Sequence, residues 1–283
     1  MEKQEAGKSL QWATHALSSC STTPSLDARI LLMKATGWNQ VQLLLNNKKE
    51  LSEAAYASFM AYISERRKPT PIAYILGEKE FYGRNFTLNS SCLIPRPDTE
   101  TLVECAIDFI KKNQTVHTGL DCCTGSGCVG ISIEAETTIP FALSDISAEA
   151  LSCAKQNKSL LLQKENDVFI SNLLQNTGVY DLITSNPPYL TKEWCDDVSD
   201  DVKKEPFTAL FGEGDDGLDL IRELVAEAPN HLSNGGGLFI ECDYRQTEEV
   251  KNIFSLHQFQ SVTIYKDLSG LERVVGGIKC TNN

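Results

Sequence analysis

The 283-residue sequence lacks several features that would place the protein in other classes. No apolar stretch approaches the roughly 18 residues of a membrane span, so we expect no contact with a membrane. The ten cysteines include no Cys-x-x-Cys pair, so the spacing of a structural zinc site is missing and we expect no metal. The polar start of the chain lacks the pattern of a secretory signal, and we therefore expect a cytoplasmic protein with reduced thiols.

An excess of positive charge is also missing, because the formal net charge is -12. Proteins that bind a nucleic acid backbone neutralise phosphates with Lys and Arg, so we expect no direct nucleic acid partner. Residues 1–70 carry nine Lys and Arg against six Asp and Glu, whereas residues 71–283 carry 17 against 32. This uneven balance indicates two parts with different surroundings.

The pattern of apolar residues predicts three segments. Residues 1–70 show helical spacing without strand-like alternation, which predicts a small helical domain, and residues 71–98 show the alternation of a β-hairpin linker. Residues 99–283 alternate apolar runs with helical patterns, which predicts an α/β domain with an open, largely parallel sheet. Its strands are expected near residues 119–122, 139–143, 168–170, 180–184, 237–241, 261–265 and 274–278.

A glycine-rich segment follows the first of these strands and leads into a helix: Asp121-Cys122-Cys123-Thr124-Gly125-Ser126-Gly127. Gly125 and Gly127 let the backbone approach a ligand closely, and a helix N-terminus offers unpaired N–H groups. Residues 125–130 also fit Gly-x-Gly-x-x-Gly, which is typical of dinucleotide-binding proteins. This loop alone therefore leaves the class of nucleotide open.

Two carboxylates lie close to this loop. Asp145, 20 residues beyond Gly125, is placed after the second strand, where an acidic residue accepts hydrogen bonds from ribose hydroxyls. The alternative is that Asp145 only caps the helix that begins near Ser147. Asp121 ends the first strand, where its carboxylate is placed to meet the ammonium of an amino-acid-like cofactor, a group that NAD lacks.

A second polar loop, Asn186-Pro187-Pro188-Tyr189, follows a buried strand. It lies at the edge where open α/β sheets bind ligands. Asn-Pro and Pro-Pro are also ordinary loop formers, but a simple turn leaves Asn186 and Tyr189 unexplained. We interpret all four residues as substrate-binding, and Asn186, Pro187 and Tyr189 as the residues that carry catalysis.

These residue types suit a reaction at a planar nitrogen. The lone pair of an amide nitrogen is delocalised, as the rotation barrier of ~18–20 kcal/mol shows, so it must be aimed at its target. The side-chain carbonyl of Asn186 and the backbone carbonyl of Pro187 can accept the two N–H bonds, and Tyr189 can supply an aromatic wall. The lone pair then faces a sulfonium methyl, and positioning supplies most of the catalysis. The pattern predicts S-adenosylmethionine as the cofactor.

Over nearly its whole length the sequence resembles the HemK/PrmC family of bacterial protein-(glutamine-N5) methyltransferases. The segments that carry the resemblance are Pro71-Ile72-Ala73-Tyr74-Ile75-Leu76-Gly77, Leu93-Ile94-Pro95-Arg96-Pro97-Asp98-Thr99-Glu100, Asn186-Pro187-Pro188-Tyr189, Glu205-Pro206 and Asp267-Leu268-Ser269-Gly270-Leu271-Glu272-Arg273. Asn-Pro-Pro-Tyr is shared with adenine and guanine amino-methyltransferases, whereas the Ile-Pro-Arg-Pro segment makes the resemblance specific.

The resemblance implies a Rossmann-like methyltransferase domain over residues 99–283 with an antiparallel last strand. It implies that the acceptor is the glutamine in the Gly-Gly-Gln motif of class I peptide chain release factors, that this methylation supports translation termination, and that the helical domain helps to recognise the release factor. We expect a monomer. By position, the expected cofactor contacts are Asp121, Cys123, Thr124, Gly125, Ser126, Gly127, Asp145, Asn172, Leu173 and Asn186.

Two departures from the family pattern bear on cofactor affinity. The family usually has glycine at the position of Cys123, and a cysteine adds a side chain where the backbone needs freedom. Ser171-Asn172-Leu173-Leu174 replaces what is often an acidic residue followed by an aromatic one. The adenine contact is therefore expected to be weaker or shifted, although the Asn172 carbonyl can still accept from the adenine amino group.

Three alternatives stay open at this point. They are an adenine amino-methyltransferase that acts on nucleic acid, a nicotinamide-dependent oxidoreductase that uses residues 125–130, and a non-catalytic binding module. The negative charge of residues 71–283 and the lack of a basic target-recognition segment disfavour the first. The presence of Asn186, both prolines and Tyr189 disfavours the last.

Overall fold

The computed structural model describes residues 4–164 and 167–281, and these residues form two compact units. Unit 1 is the chain up to Gly77 together with Ser199–Lys204, and unit 2 is Glu78–Val198 together with the chain from Glu205 onward. Within the described ranges, no helix combines the length and the apolar content that crossing a bilayer requires.

Unit 1 is helical, as the sequence predicts. Its helices are α1 (Ala6–Leu17), α2 (Pro24–Thr36), α3 (Gln40–Leu45), α4 (Glu53–Arg66) and α5 (Ile72–Leu76). The ends follow from local chemistry: Gly37 adopts the left-handed conformation that closes α2, and the Ser52 hydroxyl accepts the Ala55 N–H at the start of α4. Leu31, Phe59 and Ile63 belong to the buried core of this unit.

The segment 71–98 contains two different elements. Helix α5 occupies its start, where the sequence suggested only a hairpin, and the hairpin follows as β1 (Glu78–Phe81) and β2 (Arg84–Thr87). Tyr82 and Gly83 both have positive φ, at 50° and 72°, which is the two-residue turn that matches strand twist. The domain limits at 70 and 98 stay predictions.

Unit 2 is built on one sheet of seven described strands in the order β5-β4-β3-β6-β7-β9-β8. The strands are β3 (Gly119–Cys122), β4 (Phe141–Asp145), β5 (Val168–Ile170), β6 (Tyr180–Ser185), β7 (Leu232–Glu241), β8 (Phe259–Lys266) and β9 (Glu272–Lys279). Neighbours from β5 to β7 pair in parallel, whereas β9 is antiparallel to both β7 and β8. The predicted α/β class and the antiparallel last strand are confirmed.

Helices cover both faces of this sheet. The α-helices described in unit 2 are α6 (Glu100–Lys112), α7 (Cys128–Thr137), α8 (Ala148–Leu162), α9 (Lys192–Asp197), α10 (Asp219–His231) and α11 (Thr247–Leu256). Because side chains of a strand alternate between faces, Leu182 packs in the core with α6, α7 and α8, while Ile183 packs in the core with α10 and α11. The strand order reverses direction at β3, and this places a crevice at the carboxyl ends of β3 and β6.

Two strand boundaries differ from the sequence-based ones. Strand β4 begins at Phe141 rather than residue 139, because the Ile139 N–H is held by the Thr137 hydroxyl in the turn after α7. Strand β7 begins at Leu232 rather than residue 237, although Ser-Asn-Gly-Gly-Gly is typical of a turn. Gly237 leaves room for an aromatic ring, since a Cβ there would lie 2.9 Å from the Phe109 ring.

Candidate active site

A cavity of about 330 Å³ opens at the carboxyl ends of the parallel strands of unit 2. Its walls include the loops that follow β3, β4, β5 and β6, together with residues 91–96 and 206–211. Most of the residues predicted to bind the cofactor therefore lie in one place. Gly127, Pro187 and Tyr189 lie outside the lining of this cavity, as far as the described chain shows.

Asp121 anchors the first loop from behind. Its carboxylate accepts the Thr124 hydroxyl at 2.5 Å, the Thr184 hydroxyl at 3.0 Å and the Gly130 N–H at 3.1 Å. A Cβ on Gly130 would lie 2.8 Å from the Asp121 Cβ, so glycine is what allows α7 to approach β3. Burial raises the pKa of Asp121 to about 6, against the lowering effect of these hydrogen bonds. Asp121 thus fixes the loop as well as lining the cavity.

The loop itself turns through left-handed backbone conformations. Gly125 and Gly127 have φ of 55° and 83°, and Cys123 has φ of 57° although it carries a side chain. For a non-glycine residue this conformation costs roughly 1–2 kcal/mol. Glycine, which the resemblance leads us to expect at this position, would adopt this backbone conformation without that cost. Cys123 and Cys122 bring their sulfur atoms within 3.9 Å of each other.

Asp145 joins the first loop to the start of α8. Its two carboxylate oxygens accept the Gly125 N–H and the Ser147 N–H, each at 2.9 Å, while the Ser147 hydroxyl accepts the Ala150 N–H and is the actual helix cap. Burial raises the pKa of Asp145, opposed by hydrogen bonds from backbone N–H groups. Because a carboxylate can accept about four hydrogen bonds, Asp145 keeps acceptor capacity toward the cavity that it lines.

The loop after β5 contributes Asn172 and Leu173. Both line the cavity, and Leu173 is buried with a φ of 46°. The Ser171 hydroxyl fixes this turn by donating to the Leu173 and Gln175 carbonyls, each at 2.8 Å. The apolar Leu173 side chain is thus held against the cavity, while the Asn172 side chain stays exposed at its rim.

The second loop presents Asn186 and Pro188 to the same cavity. The Asn186 amide nitrogen donates to the Thr99 hydroxyl at 3.3 Å, which leaves the Asn186 carbonyl as the group for a ligand. Pro187 is buried. Tyr189 packs against the core on the α10 and α11 face, and its hydroxyl donates to Glu241 at 3.4 Å. Its role as an aromatic wall stays a prediction.

The sequence analysis assigned no role in the site to three groups of residues around the cavity. Thr99 and Glu241 contact the second loop from two other segments, and Phe207 and Phe211 stack on each other with ring centroids 5.2 Å apart on the cavity wall. Glu205 accepts the Ile94 N–H at 2.9 Å and pairs with Arg96, which holds the Ile-Pro-Arg-Pro segment in place. The position of a charged residue, Glu241, at the end of an apolar strand is a signal in the sequence that could have identified it.

The chemistry available in the cavity is that of hydrogen bonding and charge. Burial raises the pKa of Cys128 to about 12, so this thiol stays neutral. In the described part of the chain, no group of three or more His, Cys, Asp and Glu side chains has the arrangement to hold a metal ion. The arrangement is suited to binding a polar ligand and to orienting a second one.

Known protein families match both units of the chain. Residues 8–77 match the PrmC N-terminal domain, and residues 99–209 match the methyltransferase small domain. The catalytic domain of hMettl16, solved in complex with MAT2A 3'UTR hairpin 6, has a TM-score of 0.56 at 16% identity and covers 78% of this chain and 83% of that chain. At that level of identity the likeness concerns the fold alone.

Bacterial relatives match almost the full length. The release factor glutamine methyltransferase of Clostridium acetobutylicum is 34% identical over 260 residues, which cover 89% of this chain and 90% of the relative. The protein of the same name from Pasteurella multocida is 34% identical over an alignment of 295 residues, which covers 94% of this chain and 97% of the relative. The family predicted from the sequence is thereby confirmed: the chain belongs to the release factor glutamine methyltransferases.

Proposed function

We propose that this protein transfers a methyl group from S-adenosylmethionine to the side-chain amide nitrogen of the glutamine in the Gly-Gly-Gln motif of class I peptide chain release factors, and so supports translation termination. One observation carries the proposal: the glycine-rich loop, Asp145 and Asn186 all line a single cavity. A cofactor held by the first two is then next to the group that holds the acceptor.

The residues of the cavity fit such a cofactor. Its volume of about 330 Å³ falls within the roughly 300–1,000 Å³ of small-molecule sites. Ser126 lines the cavity, and its buried hydroxyl has the Cys128 thiol beside it but makes no hydrogen bond of ordinary geometry among the described residues, so a ligand could supply that bond. Asp145 would accept the ribose hydroxyls, Asp121 would meet the ammonium, and Asn172 and Leu173 would contact the adenine.

The acceptor amide would be held by the second loop. When bound, S-adenosylmethionine supplies an electrophilic methyl on a sulfonium. The Asn186 carbonyl would accept one N–H of the glutamine amide, and the Pro187 backbone carbonyl the other, and these two hydrogen bonds would fix the orientation of the amide nitrogen. The acceptor nitrogen would give up one proton to solvent water in exchange for the methyl group that it gains.

The partner follows from the names of the relatives, which specify release factors. We propose a helical domain over residues 1–70 that helps to recognise the release factor, a linker over residues 71–98 and the methyltransferase domain over residues 99–283. The net charge of -12 argues against direct binding to nucleic acid. We propose that the protein acts as a monomer in the cytoplasm.

A transfer assay tests the acceptor. The purified protein, a class I release factor and radiolabelled S-adenosylmethionine should yield labelled release factor, and a release factor with Gln→Ala in the Gly-Gly-Gln motif should stay unlabelled. A Gln→Asn release factor is the matched control, because asparagine keeps the amide group on a side chain that is one methylene group shorter. If the Gln→Ala release factor were labelled as strongly as the unchanged release factor, the assignment of this glutamine as the methyl acceptor would be wrong.

Calorimetry tests the cofactor. We expect S-adenosylmethionine to bind to the protein alone and NAD not to bind. Binding of NAD without binding of S-adenosylmethionine would reverse the assignment in favour of an oxidoreductase.

A further inference from the structure

Gln246 is a buried amide that the proposed mechanism does not use. It lies directly before α11, and only 5% of its surface is exposed. Its Nε2 donates to the Tyr189 carbonyl at 2.9 Å and to the Asp216 carbonyl at 2.8 Å, while its Oε1 accepts the Asp243 N–H at 3.3 Å. One side chain thus joins the last residue of the second loop to two other segments of unit 2.

These three partners require a glutamine. Two of them are carbonyl oxygens, which only accept hydrogen bonds, and the third is a backbone N–H, which only donates. A primary amide satisfies all three in one orientation, with its NH2 group toward the two carbonyls and its oxygen toward the N–H. A carboxylate of the same length would instead direct an oxygen at each carbonyl. A thioether of similar length would offer neither carbonyl a donor.

The chain packs tightly behind the Tyr189 carbonyl that Gln246 holds. A Cβ on Gly217 would lie 2.4 Å from the Tyr189 carbonyl oxygen, so glycine is what allows this approach. Leu190 extends the contact, because its N–H donates to the Leu210 carbonyl at 2.9 Å. Leu210 belongs to the segment that lines the cavity. The end of the second loop is therefore fixed between the cavity wall and the start of α11.

The two prolines carry the position of Tyr189 to the start of the loop. Each proline ring fixes φ, and the peptide bonds are planar, so the chain between Asn186 and Tyr189 has few free rotations. The other end of the loop is fixed at Ser185 of β6, whose hydroxyl donates to the Cys122 carbonyl at 2.8 Å. A loop that is held at both ends and stiff between them keeps the Asn186 and Pro187 carbonyls in one place.

We propose that Gln246 is a positioning residue: by holding the Tyr189 carbonyl, it keeps the second loop in the one conformation that orients the acceptor amide. The groups that contact the acceptor are the Asn186 and Pro187 carbonyls, so the proposal rests on the proposed function. Among the described residues, Gln246 lies outside the lining of the cavity. It therefore acts through the loop rather than by touching a ligand.

The test is methyl transfer to a release factor by variants of Gln246, with both substrates saturating. Gln246→Met keeps the length of the side chain and removes its three hydrogen bonds, so kcat should fall roughly 10- to 100-fold. The calorimetric affinity for S-adenosylmethionine should stay at the wild-type level, because the groups proposed to hold the cofactor belong to other loops. The stoichiometry of the same titration counts the folded molecules, and kcat is expressed per folded molecule.

Gln246→Glu adds a result that a loss of stability would not produce. Its carboxyl group would be buried against two carbonyl oxygens, which raises the pKa of that group and makes its ionised form repel them. Once protonated, the carboxyl group can donate to one of the two carbonyls. The ratio of its kcat to the wild-type kcat should therefore rise as the pH is lowered. The same ratio for Gln246→Met should stay constant.

The charged groups around Gln246 are the same in the wild type and in the variants. Hydrogen bonding from Arg222 lowers the pKa of Asp216. Burial raises the pKa of Asp243, but hydrogen bonds from Arg245 outweigh burial and leave this pKa lowered. The remaining titratable groups are Glu241, the Tyr189 phenol and the two glutamates in the first turn of α11. Because all of them also titrate in the wild type, their effects cancel in the ratio.

A control and a double variant complete the experiment. Gln260→Glu is the matched control, because Gln260 is exposed on β8, and it should keep the wild-type kcat at every pH. The double variant tests the route through the loop. If Gln246 acts through Asn186, adding Gln246→Met to Asn186→Ala should lower kcat by much less than Gln246→Met lowers it in the wild type.

The outcomes separate the two proposals. An active wild type whose Gln246→Met and Gln246→Glu variants keep its kcat per folded molecule overturns the positioning role alone, even if fewer molecules are folded. Fully additive losses in the double variant also overturn it, and so does a Gln246→Glu ratio that does not change with pH. A wild type that methylates no release factor overturns the proposed function, and the positioning role with it.

Discussion

The loop after β3 and the loop after β6 end neighbouring strands of one sheet, yet their polar groups are used in different ways. In the first loop, Asp121 and Asp145 accept hydrogen bonds from the Thr124 hydroxyl and from the Gly125 and Gly130 N–H groups, which hold the loop against the start of α7. In the second loop, Asn186 uses only its amide nitrogen toward Thr99. The difference shows that the first loop is held in one conformation as a cofactor-binding loop, whereas the second loop keeps the Asn186 carbonyl for a ligand.

Each loop also has a buried carboxylate behind it. Asp121 has a pKa raised to about 6, and Glu241 has one raised to about 7, in both cases mainly by burial. Asp121 accepts three hydrogen bonds from its own loop and its neighbours, which favours its charged form. Glu241 accepts fewer hydrogen bonds than Asp121 does. It is therefore the carboxylate whose charge changes closest to neutral pH.

The largest effect is expected from Asn186→Ala. If the second loop aims the acceptor, removing its carbonyl should lower kcat by about 100-fold or more, as removal of a single positioning hydrogen bond does elsewhere. The measurement is labelled-methyl transfer at saturating substrates. Asn252→Ala, an exposed amide of α11, is the control. A loss of cofactor affinity with an unchanged kcat would mean that Asn186 binds the cofactor rather than the acceptor.

Asp145→Ala should weaken cofactor binding, whereas Asn186→Ala lowers kcat. The loss of a charged acceptor is worth about 1.5–3 kcal/mol per hydrogen bond, which corresponds to roughly 10- to 100-fold weaker S-adenosylmethionine binding. The KM for the release factor should hardly change. Calorimetry measures the first quantity, with Glu149→Ala in the first turn of α8 as the control. An unchanged cofactor affinity would exclude the ribose role.

Glu241→Gln should change stability in a pH-dependent way. The folded-state pKa of about 7 lies above the ordinary 4.5, so the wild-type fold is favoured below pH 4.5 and loses stability as pH rises through about 7. Relative to the wild type, Glu241→Gln should therefore gain stability above pH 7, by at most about 3 kcal/mol. Chemical denaturation at several pH values measures this, and a pH-independent difference would contradict it.

The smallest effect is expected from Cys123→Gly. It relieves a left-handed backbone, although glycine also makes the unfolded chain more flexible, so the net gain in stability should be at most about 1 kcal/mol. Gly125→Ala is the reverse substitution, from glycine to a residue with a side chain, at a similar backbone conformation. Its added Cβ meets no atom within 4 Å, so any loss of stability reports the backbone strain alone. A destabilising Cys123→Gly would mean that packing of the thiol outweighs the strain.

The sequence was sufficient for the parts of the site that a single segment encodes. Glycines after β3 and Asn-Pro after β6 identify both loops, because turn chemistry and strand periodicity are local properties. The fold class followed from the same alternation. The prediction shortened strand β7 because residues 233–236 form an irregularity within it, where the pairing with β6 shifts from Tyr180–Leu232 to Leu182–Gly237 and Gly235 has a φ of 77°.

The rest of the site could not be predicted, because it depends on contacts between distant segments. Thr99 and Asn186 are 87 residues apart, and Tyr189 and Glu241 are 52 apart. The stacking of Phe207 on Phe211 against the cavity likewise depends on a loop with no strong periodicity. Such partners become visible only when the topology brings the strand ends together.

Mass spectrometry of a release factor after incubation with this protein and S-adenosylmethionine tests the central claim most directly. Fragmentation should locate one added methyl on the glutamine of the Gly-Gly-Gln motif, and Asn186→Ala should leave that peptide unmodified. A methyl group found on another residue, or the same modified glutamine with Asn186→Ala at the wild-type rate, would contradict the account.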